Sequence, residues 1–173
     1  MLSQIINYFG FFGIFILNIL TIVLLLSQYT YLLFYLIGGV LNFILNISLK
    51  LLIRIPRPNG DKHLFNIMNH RNKRILIDKF GMPSGHAQSI GFSTCYAFLT
   101  IKNKKWLFFY GVVCILTLYQ RYNNKNHTLF QLFIGLVVGI IVAYFMYFTS
   151  KRYITYLVED PKPEKIIEFS NPL

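Results

Sequence analysis

IINYFGFFGIFILNILTIVLLL, residues 5–26, carries no charge and only scattered polar groups at Asn7, Asn18 and Thr21. A hydrocarbon core about 30 Å thick is crossed by roughly 20 apolar residues in a helix, so a run of this length reads as a membrane span. It lacks the positive leader and small-residue cleavage site of a secretory signal, and is therefore expected to be retained. Outward from it, no charged residue occurs before Lys50. The whole chain is 55% hydrophobic with a mean hydropathy of +0.51, which belongs to a bilayer.

Four more apolar segments follow. After the polar break at 27–30 a second span is expected from Tyr31 to Ile53, a third from Ser84 to Ile101, a fourth from Trp106 to Tyr119 and a fifth from Thr128 to Thr149. The fold class is thus an all-α polytopic membrane bundle of about five transmembrane helices. One domain is expected over residues 1–150, with a mobile cytosolic tail over 151–173 marked by mixed charge and by Pro161, Pro163 and Pro172. Gly10 with Gly13, and Gly135 with Gly139, have the small-residue spacing that lets helices approach closely. Asn42 and Asn46, one turn apart, are expected to bond between helices. Cys95 and Cys114 lie inside apolar runs as small core residues, and two cysteines are too few for a cysteine-built metal site.

The formal net charge of +11 would suggest nucleic acid in a soluble protein. Here, however, eight of the seventeen basic residues fall between Lys50 and Lys79, in a loop between spans, and no basic helix stands apart from the membrane segments. Nucleic acid is the poorest fit. Such a loop can flank a helix electrostatically, meet anionic headgroups or bind a phosphate substrate. Pro56 and Pro58 stop the second span. His63 and His70, in the same loop, have no partner at a recognised ligand spacing and read as solvated.

GMPSGHAQS, residues 81–89, opens the third span. Serine is a good helix cap, and the first N–H groups of a helix, together with its positive dipole end, attract phosphate. His86 then sits in the first turn beside whatever is bound. Between His86 and Arg121 the chain crosses the membrane twice, so the loop ending in Pro83–His86 and the loop QRYNNKNH, residues 120–127, share one face. Lys50 opens onto that face too. The KNKK turn at 102–105 and the pair Lys151 and Arg152 lie on the other, which the positive-inside rule assigns to the cytosol. The site-bearing loop is more basic still and argues the other way; the KNKK turn, with no other evident task, decides for the cytosol.

Three segments therefore need one explanation: Lys50 with Arg57 and Pro58; Pro83, Ser84, Gly85 and His86; and Arg121 with His127. Their order and spacing resemble the three-part signature of the type 2 phosphatidic acid phosphatase superfamily over residues 50–131. Phosphoryl transfer places charge on equatorial oxygens that fixed cations and helix N-termini stabilise. Lys50, Arg57 and Arg121 can supply that charge, arginine in planar two-point contacts, with Ser84 and the backbone at Gly85 completing the cradle. The resemblance implies that His127 attacks phosphorus and becomes a phosphohistidine, and that His86 protonates the departing oxygen. It implies no metal and no cofactor. Taken singly, Lys50, Arg57 and Arg121 could equally be interfacial residues at helix ends.

Two positions depart from that superfamily. Gln120 stands where serine is usual, and Gln131 where aspartate is usual. Residue 131 is one turn beyond His127, where it can accept the ring N–H and fix the tautomer. Glutamine cannot offset charge on the histidine, and neutralising the orienting aspartate of a serine hydrolase costs about 10⁴ in rate. The pattern predicts a weaker nucleophile or an easier reaction. Gly81, Met82, Gln88, His127, Thr128 and Gln131 are similar to the dolichyl diphosphatase branch, although Gly85 replaces its usual second serine. The implied substrate is a polyisoprenyl (dolichyl) diphosphate cleaved to the monophosphate, within membrane lipids of the endoplasmic reticulum, on the lumenal face. The alternatives are a lipid phosphate monoester phosphatase and a catalytically silent protein that binds lipid phosphates.

Overall fold

The computed structural model describes residues 2–58 and 79–159. Among the described residues five long helices follow one another: α1 (Leu2–Leu24), α2 (Tyr29–Ile53), α3 (Gly85–Thr100), α4 (Lys104–Asn123) and α5 (Leu129–Glu159). No strand forms among the described residues; an isolated bridge joins Pro56 to Phe80. His63 and His70 lie outside the described residues, as does the tail beyond 159. The boundary expected at 151 falls inside α5, which runs on to Glu159 because the charged segment that follows the apolar run contains no breaker before Pro161.

Segments Ile6–Leu24, Tyr29–Ile53 and Leu129–Leu157 are long and apolar enough to cross a membrane. Helix α3 has only 16 residues, roughly 24 Å at 1.5 Å per residue. Its sequence is also more polar, with Gln88, Ser93 and Thr100 buried, and its position explains why: α3 packs most extensively on α5 and also touches α1, α2 and α4. A helix shielded by its neighbours need not be apolar all round. Helix α4 extends beyond the expected Trp106–Tyr119 at both ends, with Asn103 capping its start by accepting from Lys105 N–H at 3.0 Å.

Burial is arranged as in a membrane protein. Large apolar side chains such as Phe15, Ile19, Phe43, Phe133, Ile141 and Phe145 are exposed on the outside. Inside, polar groups satisfy one another: Thr21 and Tyr110 hydroxyls meet at 2.7 Å, and the Tyr35 hydroxyl donates to Asn18 Oδ1 at 2.6 Å and shares a bond with Ser93 at 2.8 Å. With no water at that depth, each such pair avoids the cost of a desolvated, unbonded group.

Two glycine pairs set the closest seams. A β-carbon on Gly135 would lie 2.6 Å from the Ser84 carbonyl oxygen and 3.0 Å from Ala87 Cβ, and one on Gly139 would collide with the Gln88 carbonyl. Gly10 and Gly13 of α1 meet Gln120 and Thr117 of α4 in the same way. The chain therefore brings the N-termini of α1, α3 and α5 and the C-termini of α2 and α4 to one end of the bundle.

Candidate active site

At that end, α2 finishes in a left-handed Arg54 (φ 54°) that caps the helix and releases the chain toward Pro56 and Arg57. Lys50 stands in the last turn and is buried, and Arg121 is placed likewise in the last turn of α4. Cations are favoured there by the negative end of the helix dipole. Ser84 caps α3, its hydroxyl accepting from Ala87 N–H at 3.4 Å. The next N–H groups, of Gly85 and His86, have no acceptor within the helix and mark its anion-attracting end. Ser84 itself is fully buried at that helix start.

The loop after α4 folds back over Arg121. Asn126 and His127 N–H groups both donate to the Arg121 carbonyl, at 3.0 and 3.3 Å. Asn126 then ties two cations together, since Arg121 Nη1 donates to its side-chain oxygen at 3.3 Å and Arg57 Nη1 to its carbonyl at 3.4 Å. Arg121 Nη2 meets His86 Nε2. Arginine only donates, so in this state His86 accepts through Nε2. The guanidinium also lies over the Phe11 ring at 5.1 Å, and Phe11 reaches the His86 ring at 5.8 Å.

His127 is buried beside these cations, and burial, aided by Arg57, Lys50 and Arg121, pushes its pKa down to about 3, with the bond to Gly81 opposing the shift. Its Nδ1 is 2.8 Å from the Gly81 carbonyl oxygen. A carbonyl can only accept, so Nδ1 carries the proton and Nε2 keeps a lone pair. His86 lies within the electrostatic reach of Arg121, His127, Arg57 and Lys50. The five charged or imidazole residues read from the sequence are thus together.

Gln131 is placed differently from expectation. Its side-chain oxygen accepts from Thr128 N–H at 3.2 Å and its amide nitrogen donates to the Pro56 carbonyl at 2.9 Å, while the His127 ring N–H goes to Gly81. The spacing from His127 correctly put residue 131 one turn on, but the reciprocal bond from Gln131 N–H to Thr128 Oγ1, at 3.2 Å, makes the pair a capping box that turns the amide toward the helix start. Gln120 faces the seam with α1 at Gly10, and neither of its amide atoms has a hydrogen-bond partner among the described residues.

Several contributors were not read as part of the site. Gln88 accepts from Asn46 at 2.8 Å and donates to Asn42 Oδ1 at 2.9 Å, and Asn46 also donates to the Pro83 carbonyl at 3.4 Å, so buried amides lock α2, with its Lys50, to the start of α3. Their spacing on α2 signalled interhelical bonds, not which helix they met. Phe11 had no signal at all, being one aromatic in an apolar run. Asn7 of α1 accepts from Asn124 Nδ2 at 3.3 Å, which brings the first helix to the same end.

The profile of the PAP2 superfamily matches residues 28–155, which include all three of these segments. This chain belongs to the PAP2 superfamily. Two curated relatives, lipid phosphate phosphatase epsilon 2, chloroplastic, and lipid phosphate phosphatase epsilon 1, chloroplastic, both of Arabidopsis thaliana, are each 30% identical to it, over 121 and 119 residues. Those alignments cover 65% and 64% of this PAP2 chain but 37% and 38% of the relatives, so it spans well under half of their length. No solved structure gives a significant match.

Proposed function

We propose that this PAP2 chain is a membrane-embedded lipid phosphatase that hydrolyses a polyisoprenyl diphosphate to the monophosphate through a phosphohistidine at His127. The observation that carries the reading is the convergence of Lys50, Arg57 and Arg121 on a neutral His127 whose Nδ1 proton is held by a backbone carbonyl. The terminal phosphate sits among the three cations and the N–H groups of Gly85 and His86. His127 Nε2 attacks phosphorus, the bond to the bridging oxygen breaks, and His86 gives its proton to the departing lipid monophosphate. Water then attacks phosphorus with His86 taking its proton, the P–N bond breaks, and inorganic phosphate leaves.

Arg121 Nη2 donates to His86 Nε2. A bound phosphate draws the guanidinium onto its own oxygens and leaves that nitrogen to take a proton, which prepares His86 as the acid. His127 is oriented by a neutral carbonyl and not by a carboxylate. Among the described residues no carboxylate stands beside its Nδ1 to offset the charge that develops as it is phosphorylated, and a good leaving group suits such a nucleophile. That is the reason to favour a diphosphate over an alkyl monoester. The charge is supplied by side chains, so activity is expected to persist in excess EDTA. The resemblance to the dolichyl diphosphatase branch suggests the endoplasmic reticulum as the membrane, and the KNKK turn, by the positive-inside rule, the lumenal face for the site.

A second reading, a phosphatase of lipid phosphate monoesters, is favoured by the names of the two relatives. Phosphate release from purified protein in mixed micelles, with a polyisoprenyl diphosphate and phosphatidate compared at equal surface concentration, separates them. Faster turnover of the diphosphate supports the first reading, and faster turnover of phosphatidate replaces it with the second. No release from either leaves a lipid-phosphate-binding protein.

A further inference from the structure

Gln131, 3% exposed, touches every segment of the site without touching its chemistry. Its side chain closes the capping box with Thr128, next to His127, and its amide nitrogen holds the Pro56 carbonyl, next to Arg57. Its main-chain oxygen accepts from Ser84 N–H at 3.2 Å, at the mouth of α3. A β-carbon on Gly81 would fall 2.8 Å from both Gln131 side-chain heteroatoms, so the amide packs directly under the backbone that holds His127. Gly81 is fixed from its other side by donating to the Ile55 carbonyl at 2.8 Å.

These contacts exclude a direct role. A ring nitrogen makes one good in-plane hydrogen bond, and at His127 Nδ1 it is made to Gly81. The Gln131 oxygen is turned to Thr128 and its nitrogen to Pro56. We infer that Gln131 is a positioning residue: its amide clamps the Pro56–Arg57 and Gly81–Ser84 segments onto the start of α5, and thereby holds the Gly81 carbonyl on His127 Nδ1 so that only Nε2 faces phosphorus. The inference rests on His127 being the nucleophile. Aspartate at this position should then lower activity, because a carboxylate has no N–H for Pro56, would face a carbonyl oxygen, and aspartate is one methylene shorter.

The decisive variant is Gln131→Glu. It keeps an oxygen for the Thr128 N–H, and glutamate serves a capping box as well as glutamine, so the helix start is retained while the tie to Pro56 is lost. Full-length wild type and variant are mixed with a lipid diphosphate and quenched in alkali, and the phosphohistidine isomer at residue 127 is identified by phosphorus NMR of the digested peptide. Wild type should carry phosphate on Nε2 alone. Gln131→Glu should show a roughly 10- to 100-fold lower kcat, the scale at which outer contacts orient reacting groups, together with a measurable share of Nδ1 phosphate. Gly81→Ala, whose new methyl presses on the Gln131 amide, should give the same mixture of isomers. Nε2 phosphate alone and a wild-type kcat in Gln131→Glu would overturn the inference and leave His127 as nucleophile. Activity in Gln131→Asp equal to or above wild type would overturn it as well. Turnover in wild type with no phosphohistidine at all would remove the nucleophile, and this inference with it.

Discussion

Gly135→Ala should slow the proposed phosphate release while leaving the protein folded. The added methyl would sit 2.6 Å from the Ser84 carbonyl oxygen, about 0.8 Å short of the 3.4 Å at which contact becomes ordinary, and it also crowds Ala87 Cβ at 3.0 Å and Gln88 N at 3.2 Å. Two of these three neighbours are backbone, so the strain is relieved mainly by parting α3 from α5. That moves His86 relative to His127 by a large fraction of an ångström. A misplacement of about 1 Å costs roughly 10² in rate, so kcat should fall about 10- to 100-fold. Stability changes less, because crowding costs about 1–3 kcal/mol and is partly offset by the roughly 1 kcal/mol by which alanine exceeds glycine in a helix. Gly39→Ala and Gly111→Ala serve as controls, since nothing lies within 4 Å of either added methyl. The assay is phosphate release from a lipid diphosphate in mixed micelles, with thermal unfolding followed on the same preparations. A wild-type kcat in Gly135→Ala would refute the claim that this seam sets the distance between the two histidines.

Arg121→Lys keeps the charge but not the fork that reaches His86 and Asn126 while lying over Phe11, and kcat/KM should drop about 10²- to 10³-fold; a change under about threefold would mean that charge alone suffices. Gln88→Leu strips the buried amides of Asn42 and Asn46 of their partner and should lower stability by roughly 2–5 kcal/mol in denaturant titrations, whereas an unchanged midpoint would contradict the lock between α2 and α3. The His127 ring, with its pKa pushed down to about 3, should show no titration by NMR between pH 7.5 and about 4.5, and a midpoint near the ordinary 6.5 would overturn the burial argument. The unfolded ring takes up a proton below about 6.5 and the folded one does not until about 3, so this residue's contribution to stability is lost as pH falls through that window.

Much of this was legible in the sequence because the physics involved is local or periodic. An uncharged run must be an apolar helix, glycines four apart must lie on one face, and counting crossings places Lys50, His86, Arg121 and His127 at one end. Helix α3 reads from the sequence as the third span; what the letters do not carry is why sixteen residues with Gln88 and Ser93 suffice, which is that the surrounding helices shield them. The capping box at Thr128 and Gln131 is present in the letters, but the same spacing also suits a partner for the His127 ring, and only the fold separates the two. The acceptor for His127 was invisible for another reason. It is a main-chain oxygen of Gly81, and no side-chain motif encodes where a carbonyl points. Phe11 joins the site through tertiary packing alone, and Asn126 through a local fold-back onto Arg121 together with the long-range bond from Arg57.

In the proposed reaction, phosphate passes through His127 Nε2. Its most direct test is to turn over a lipid diphosphate radiolabelled in the terminal phosphate, quench in alkali, and map the protein-bound label. An alkali-stable, acid-labile label is expected on the peptide containing His127, with neither label nor phosphate release in His127→Ala. Undiminished release in His127→Ala, or label on a different residue, would contradict it.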